Sequence, residues 1–271
     1  MHAFLRGVRE SVVEPEVYDE MFALEQRHWW FRARRRIVLH LLARYAPRPG
    51  SQPARLADLG CGCGANLQSY NLSFRAWGMD AGLRAAAYSH RRLGDRVCVG
   101  RLPDHLPFRA ATFEAVTMTD VLEHIDLDRA AAAAAMNLLV PGGVLVATVP
   151  AGQWLFTHRD VAHHHKRRYS RRSLVALFDP LPAEILLLSY CNALLFAPAA
   201  IGRLASRWAR ASRPTDLRVP PWPLNRALES VYAAERHLLG RFPVPYGLSL
   251  VVVARKSSEP PPPAHPGPVV A

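Results

Sequence analysis

Residues 56–66, Leu56-Ala57-Asp58-Leu59-Gly60-Cys61-Gly62-Cys63-Gly64-Ala65-Asn66, decide how this chain is read. An apolar run ends in Asp58, and glycines follow at alternate positions, Gly60, Gly62 and Gly64. Glycine lacks a Cβ and reaches backbone angles closed to other residues. At this spacing the main chain can turn sharply and lie directly against a ligand. A carboxylate just before the glycines suits a ligand carrying an ammonium or hydroxyl groups.

The loop alone leaves two ligands open. Gly60-x-Gly62-x-x-Ala65 also satisfies the dinucleotide fingerprint, and Asp80 lies where that fold puts its ribose-binding acid. Asp80 ends a second predicted strand and can accept hydrogen bonds from both hydroxyls of a ribose. Its plain alternative is a helix-capping aspartate.

The bulk composition bounds the rest. A chain of 271 residues, half of them hydrophobic, can bury one large core with an appended subdomain. No signal-peptide pattern opens it, and Cys61, Cys63, Cys98 and Cys191 have no disulfide-framework spacing. A reduced cytoplasmic setting is expected. The net charge of +12 comes mostly from arginine and favours anionic partners. General solubility is the bland explanation, and no aromatic RNA-recognition signature accompanies the charge.

Along the chain, residues 17–46 read as one helix, with acids early and arginines late. Strands are predicted at 56–59, 75–79, 96–99, 113–118, 144–149, 183–190 and 248–254, and helices at 66–72, 83–93, 127–139 and from 173. Pro141-Gly142-Gly143 turns the chain into the fifth strand, and 153–172 reads as a basic, aperiodic loop. Alternating strands and helices imply a doubly wound sheet. The expected organisation is a helical cap over 1–50, a core over 51–190, a helical insert over 191–247, a final strand over 248–256 and a disordered proline-rich tail over 257–271. The insert carries predicted helices at 193–211 and 224–239. Its first helix is too short and interrupted to span a membrane, yet Arg203, Arg207 and Arg210 suit a membrane interface.

Leu106-Pro107-Phe108, Phe113-Glu114-Ala115-Val116 and Asp120-Val121-Leu122-Glu123-His124-Ile125 closely resemble the "LPF … FD.V … VLEH" block of the class I S-adenosylmethionine (SAM) methyltransferases. Dehydrogenases have no counterpart. The specific motifs cover roughly residues 55–150. The flanks Glu25-x-x-His28-Trp29-Trp30-Phe31-x-x-Arg34-Arg35 and His158-x-Asp160-x-x-x-x-His165-x-Arg167-Arg168-Tyr169 resemble a bacterial subgroup of poorly defined substrate.

The resemblance implies an α/β, Rossmann-like sheet of seven strands with the last strand antiparallel and the helical insert before it. It implies SAM as cofactor, with Asp58, Gly60, Gly62 and Gly64 at the methionine moiety and sugar, Asp80 at the ribose, and Asp120 beside them. Many relatives carry an acid after the glycine where this chain has Gly100-Arg101-Leu102, so the adenine contact falls to the Leu102 backbone or Asp104.

The flanks make chemical sense around such a donor. Trp29 and Trp30 could wall the pocket or simply staple their helix to the core. A hydroxyl acceptor benefits from a general base, and His165, His124 and His158 are the candidates in that order, since histidine titrates near neutral pH. Asp160, Arg167, Arg168 and Tyr169 are the substrate-side candidates, with the two arginines placed to clamp a phosphate or carboxylate. A solvated basic loop is the competing reading.

No metal is expected. Adjacent residues such as His163-His164-His165 rarely converge on one ion. Asp120, Glu123 and His124 are similar to an acid-x-x-Glu-His cluster of the quinone-biosynthesis O-methyltransferases, where a divalent cation is associated with it. Glu-His after Val-Leu is widespread in the wider family without metal.

The chain therefore reads as a SAM-dependent methyltransferase acting at oxygen on a small-molecule, glycan or lipid-linked acceptor. It is expected in the cytoplasm, with 191–211 as a candidate peripheral membrane contact. One alternative is a nucleic-acid or protein methyltransferase, which the charge suits. No Asn/Asp-Pro-Pro-Tyr/Phe tetrapeptide follows the fourth strand, so a nucleic-acid acceptor is not expected. Another alternative is a membrane-surface binding protein with a degenerate methyltransferase fold.

Overall fold

A computed structural model describes residues 15–48, 50–206 and 218–258. In chain order its elements are α1 (Pro15–Leu24), α2 (Trp29–Tyr45), β1 (Arg55–Leu59), α3 (Ala65–Tyr70), β2 (Arg75–Asp80), α4 (Leu83–Leu93), β3 (Val97–Val99), β4 (Phe113–Thr119), α5 (Asp128–Leu138), β5 (Leu139–Pro150), α6 (His158–Ala162), α7 (Arg171–Val175), β6 (Ala183–Cys191), α8 (Phe196–Ser206), α9 (Trp222–Ala234) and β7 (Ser249–Lys256).

The strands form one seven-stranded sheet in the order β3-β2-β1-β4-β5-β7-β6. β1 pairs in parallel with both β2 and β4, and β7 lies antiparallel between β5 and β6. This is the expected doubly wound α/β fold with an antiparallel last strand. The strand order reverses between β1 and β4, and a crevice forms there beyond the carboxyl ends of the strands, where ligands of open α/β sheets bind.

β4 is buried along its whole length, as an apolar central strand covered on both faces should be. Two apolar cores flank the sheet. One gathers Leu59, Val116, Met118, Leu145 and Leu250 with α5 residues Ala131 and Ala135. The other gathers Leu56, Val144 and Val251 with α2 residues Ile37, Val38 and Leu41, and with Tyr232 of α9.

The chain departs from its sequence reading in five places. Residues 17–46 form two helices, because the backbone breaks before Trp29. There the Trp29 N–H donates to Asn225 Oδ1 at 2.9 Å, the Asn225 amide donates to the Arg27 carbonyl at 2.9 Å, and His28 Nδ1 accepts from the Trp30 N–H at 3.2 Å. β5 begins at Leu139, ahead of the glycines, with its register to β4 irregular between Phe113 and Ala115. The segment 153–172 is ordered. Asp160 Oδ2 accepts from the Thr157 N–H at 2.9 Å and caps α6. α7 begins at Arg171, earlier than predicted. Among the described residues the insert's helices run Phe196–Ser206 and Trp222–Ala234, followed by a 3₁₀ turn at Glu235–His237. The predicted continuation to 211, with Arg207 and Arg210, lies outside the described residues, as do 1–14, Pro49 and the tail from 259.

Candidate active site

The glycine loop is built at the carboxyl end of β1. Gly60, Gly62 and Gly64 all have positive φ, at 74°, 56° and 88°. A Cβ on Gly60 would lie 2.5 Å from Val121 Cγ2, and one on Gly64 would lie 3.0 Å from the Ser89 Cα. Side chains are therefore barred both by backbone angle and by space. The Gly60 and Cys61 N–H groups donate to the Met79 carbonyl at 2.7 and 3.0 Å, tying the loop to β2. Cys61 and Cys63 are buried fillers.

Asp80 stands at the end of β2 beside this loop. Its Oδ2 accepts from the Gly62 N–H and its Oδ1 from the Gly82 N–H, both at 2.8 Å. Asp58 is fully buried below the glycines. Its Oδ1 accepts from Thr117 Oγ1 at 2.7 Å, and its Oδ2 has no partner among the described residues. Burial raises its pKa to about 7, against the pull of Thr117 and Arg34.

Arg34 reaches this floor from α2. It pairs with Asp120, a residue at φ 55° directly after β4 whose Oδ1 also accepts from Thr148 Oγ1 at 3.0 Å. The Arg34 guanidinium lies 4.2 Å from the Trp30 ring centroid, a cation–π distance. It also draws down the pKa of both Asp58 and Glu123. In the sequence Arg34 reads as one of the arginines late in the first predicted helix and as part of the Trp29-Trp30 run. Nothing local shows that it becomes the buried cation among several acids.

α1 overhangs the loop. Met21 Cε lies 2.7 Å from where a Gly62 Cβ would stand, and Tyr18 Oη lies 2.5 Å from the same position on Gly82. Asp19 ties α1 to Arg84 and Tyr88 of α4, and Glu25 pairs with Arg92.

The acceptor-side candidates gather across the crevice. His165 Nδ1 lies 3.0 Å from Asp160 Oδ1, and its ring meets that of His124 edge-on at 4.9 Å. Glu123 is fully buried beneath them, with Oε1 4.0 Å from His165 Nε2. Burial lowers the His124 pKa to about 4 and raises that of Glu123 to about 8. His158 opens α6, and the histidine pair is made by His124 and His165 without it.

The remaining candidates are engaged within the chain. Arg168 is buried and donates to Asp160 from Nε at 2.8 Å and to the Ala151 carbonyl at 3.1 Å. Arg203 of α8 reaches the same carboxylate at 3.2 Å. Against the effect of burial, the hydrogen bonds from His165 and Arg168 hold the Asp160 pKa far below the usual carboxylate range. Arg167 pairs with Asp128 at 2.8 Å, and the Tyr169 hydroxyl donates to Asp128 at 2.8 Å. Together they fasten the loop after β5 onto the start of α5. Trp29 packs edge-on to Tyr232 of α9. Leu102 is buried in the apolar core.

The glycine loop, Asp80, Asp120 and the Glu123–His124 pair thus all follow the carboxyl ends of strands β1, β2 and β4. A cavity of about 830 Å³ lined by Arg36, His40, Arg48, Phe74 and Arg236 sits at the opposite end of the sheet, apart from this chemistry.

A family profile for a methyltransferase domain matches residues 30–181. No curated protein matches the chain. Among solved structures, the chain is similar to a putative methyltransferase from Haloferax volcanii, solved with the Trm112 methyltransferase activator. That pair shares 17% identity at a TM-score of 0.56, covering 91% of this chain and 95% of that one. A SAM-dependent methyltransferase from Thermotoga maritima, described as a possible histamine N-methyltransferase, shares 16% identity at a TM-score of 0.55, with 89% and 96% covered. Phosphoethanolamine N-methyltransferase 2 from Haemonchus contortus, in complex with SAM, shares 15% identity at a TM-score of 0.51, with 81% and 52% covered. At these identities the likeness speaks for the fold alone.

Proposed function

The chain belongs to the methyltransferase-domain family, and from that premise we propose that it moves the methyl group of SAM to an oxygen of a small-molecule, glycan or lipid-linked acceptor. When bound, SAM supplies a methyl group on a sulfonium, which leaves without help once a nucleophile is held in line. The observation that carries the reading is that the glycine loop after β1 packs at Gly60 against Val121, in the segment after the neighbouring β4 that also sets His124 against His165.

The residues present suit the cofactor. Gly60, Gly62 and Gly64 give a stretch of backbone without side chains, Asp80 borders it as the carboxylate for a ribose, and Asp58 keeps an unpartnered oxygen beneath the loop. Asp120 borders the same floor through Arg34. Leu102 and Asp104 follow β3 on the adenine side of such a fold.

Orientation and water exclusion carry much of a methyl transfer, as much as about 7–11 kcal/mol for well-held reactants. Met21 lies against Gly62 of the loop and Tyr18 against Gly82 beside it, and both serve that end. On the acceptor side, Asp160 fixes the His165 ring through Nδ1, which leaves Nε2, on the Glu123 side, as the proton acceptor. His124, kept neutral by burial, flanks it. Among the acceptors proposed, a lipid-linked one is supported by the aromatic rim of Trp154, Phe196 and Tyr246, whose rings meet at 6.1 and 5.3 Å next to the exposed Leu194 and Ile201. No helix among the described residues is long and apolar enough to cross a membrane.

The test is methyl transfer from radiolabelled SAM into aqueous and lipid fractions of a cell extract. Wild type should label an acceptor that Gly62→Arg leaves unlabelled, since an arginine there puts a side chain on the loop's bare backbone. Equal labelling by both proteins would overturn the reading.

A further inference from the structure

Glu123 is an unusual residue to leave as it stands. Its side chain is fully buried, and neither carboxylate oxygen has a hydrogen-bond partner among the described residues. A buried carboxylate without a partner costs several kcal/mol, so such groups are paired or bind cations. His124 Nδ1 is also buried and unpartnered. His165 joins them from the loop after β5, with Nε2 4.0 Å from Glu123 Oε1. One donor atom from each of the three residues lies within 4.8 Å of the others.

We propose that Glu123, His124 and His165 bind one divalent cation of the Zn²⁺ class, beside the acceptor end of the crevice. The inference rests on the methyltransferase reading for its purpose but not for its geometry. Two imidazoles and one carboxylate form a borderline donor set that suits Zn²⁺ or Co²⁺, whereas Mg²⁺ and Ca²⁺ take oxygen ligands. Tetrahedral zinc ligands at about 2.1 Å stand about 3.4 Å apart. The donor atoms stand within 4.8 Å of one another, Glu123 and His165 at 4.0 Å, so side-chain rotation draws them in to close the site.

The surroundings support ligation in the way metal-binding histidines require. Asp160 takes the Nδ1 side of His165 at 3.0 Å, fixing the ring with Nε2 toward Glu123. His124 Nδ1, buried and without a partner, is left for the site. Asp120 takes no part, because Arg34 and Thr148 already hold it. Three protein ligands leave a coordination position open. An acceptor hydroxyl bound there loses its proton to solvent more readily. The resulting oxygen forms the O–CH₃ bond as the CH₃–S bond breaks, and the sulfonium electron pair returns to sulfur. With the cation in place, His165 is a ligand and the bound oxygen carries the acidity.

The test uses untagged, chelator-stripped full-length protein titrated with Co²⁺, read by visible absorption, and with Zn²⁺ by equilibrium dialysis. Wild type should bind one ion per chain. Glu123→Gln and His165→Ala should each weaken binding at least 10-fold, while His163→Gln, next in the same tract, binds as wild type does. No ion bound by wild type, or equal binding by His165→Ala, would overturn the site. His165→Ala keeps the test open if Glu123→Gln fails to fold. S-adenosylhomocysteine binding by the stripped protein is measured in parallel. If it persists without metal binding, only the cation site falls; if neither ligand binds, both readings fall.

Discussion

Asp160, which is buried, and His165, which is partly so, form a carboxylate–imidazole pair, with Asp160 Oδ1 3.0 Å from His165 Nδ1. The pair comes from one short stretch of chain that folds back on itself, since the His165 N–H also donates to the Asp160 carbonyl at 2.8 Å. Asp160 is itself fixed by Arg168 and Arg203. The ring is thus set before any acceptor arrives. His165→Asn should lower the turnover of methyl transfer by about 10² to 10⁴-fold, the usual worth of a positioned proton acceptor. Affinity for S-adenosylhomocysteine should stay within threefold, because His165 stands on the acceptor side. Steady-state kinetics with calorimetry separates the two effects; a matching loss of cofactor affinity would place His165 elsewhere.

Asp58 predicts a pH dependence of stability. Burial raises its carboxyl to about 7 in the fold. Its ordinary value in an unfolded chain is about 3.9. The folded state therefore binds this proton more tightly. Its contribution to stability is complete below about pH 4 and is lost as pH rises through about 7. Wild type should lose more stability between pH 5 and pH 8 than Asp58→Asn does. Denaturant midpoints at the two pH values check this, and equal losses would contradict the account.

Gly60 predicts a paired substitution. Gly60→Ala forces a Cβ to 2.5 Å from Val121 Cγ2 at a φ of 74°. Backbone strain of that kind costs about 1–3 kcal/mol, with the clash added to it. Val121→Ala removes the clash but not the strain. The double variant should recover part of the lost stability, measured as non-additivity in denaturant unfolding. Strict additivity would mean that the two side chains do not meet.

Arg34 is the buried cation nearest Asp120, Asp58 and Glu123. Arg34→Met should cost roughly 3–5 kcal/mol, as loss of one partner of a buried ion pair does. The loss should be smaller at pH 5 than at pH 8, because the buried Asp58 carboxyl, raised to about 7, is then protonated. Thermal unfolding at both pH values tests it; a loss independent of pH would assign Arg34 a packing role only.

The sheet was legible because its signals are local. Asp58 to Gly64 end a strand and start a turn, and Leu145 to Val149 and Leu250 to Ala254 are apolar runs that can only be buried. The break between α1 and α2 was not legible, since the capping partner of Trp29 is Asn225, far along the chain. The basic loop after β5 read as solvated because Arg167 and Arg168 look alike in sequence. Their acidic partners Asp128 and Asp160 appear only once the chain folds. The same holds for Glu123 and His165, which share a site only because the segments after β4 and β5 lie side by side.

The central claim is that the Gly60–Gly64 loop and Asp80 hold a SAM-type nucleoside. Calorimetric titration of the protein with S-adenosylhomocysteine tests it most directly. The account predicts one site per chain in wild type and at least a 10-fold weaker site in folded Asp80→Ala. Absence of binding in wild type, or unchanged affinity in Asp80→Ala, would contradict it.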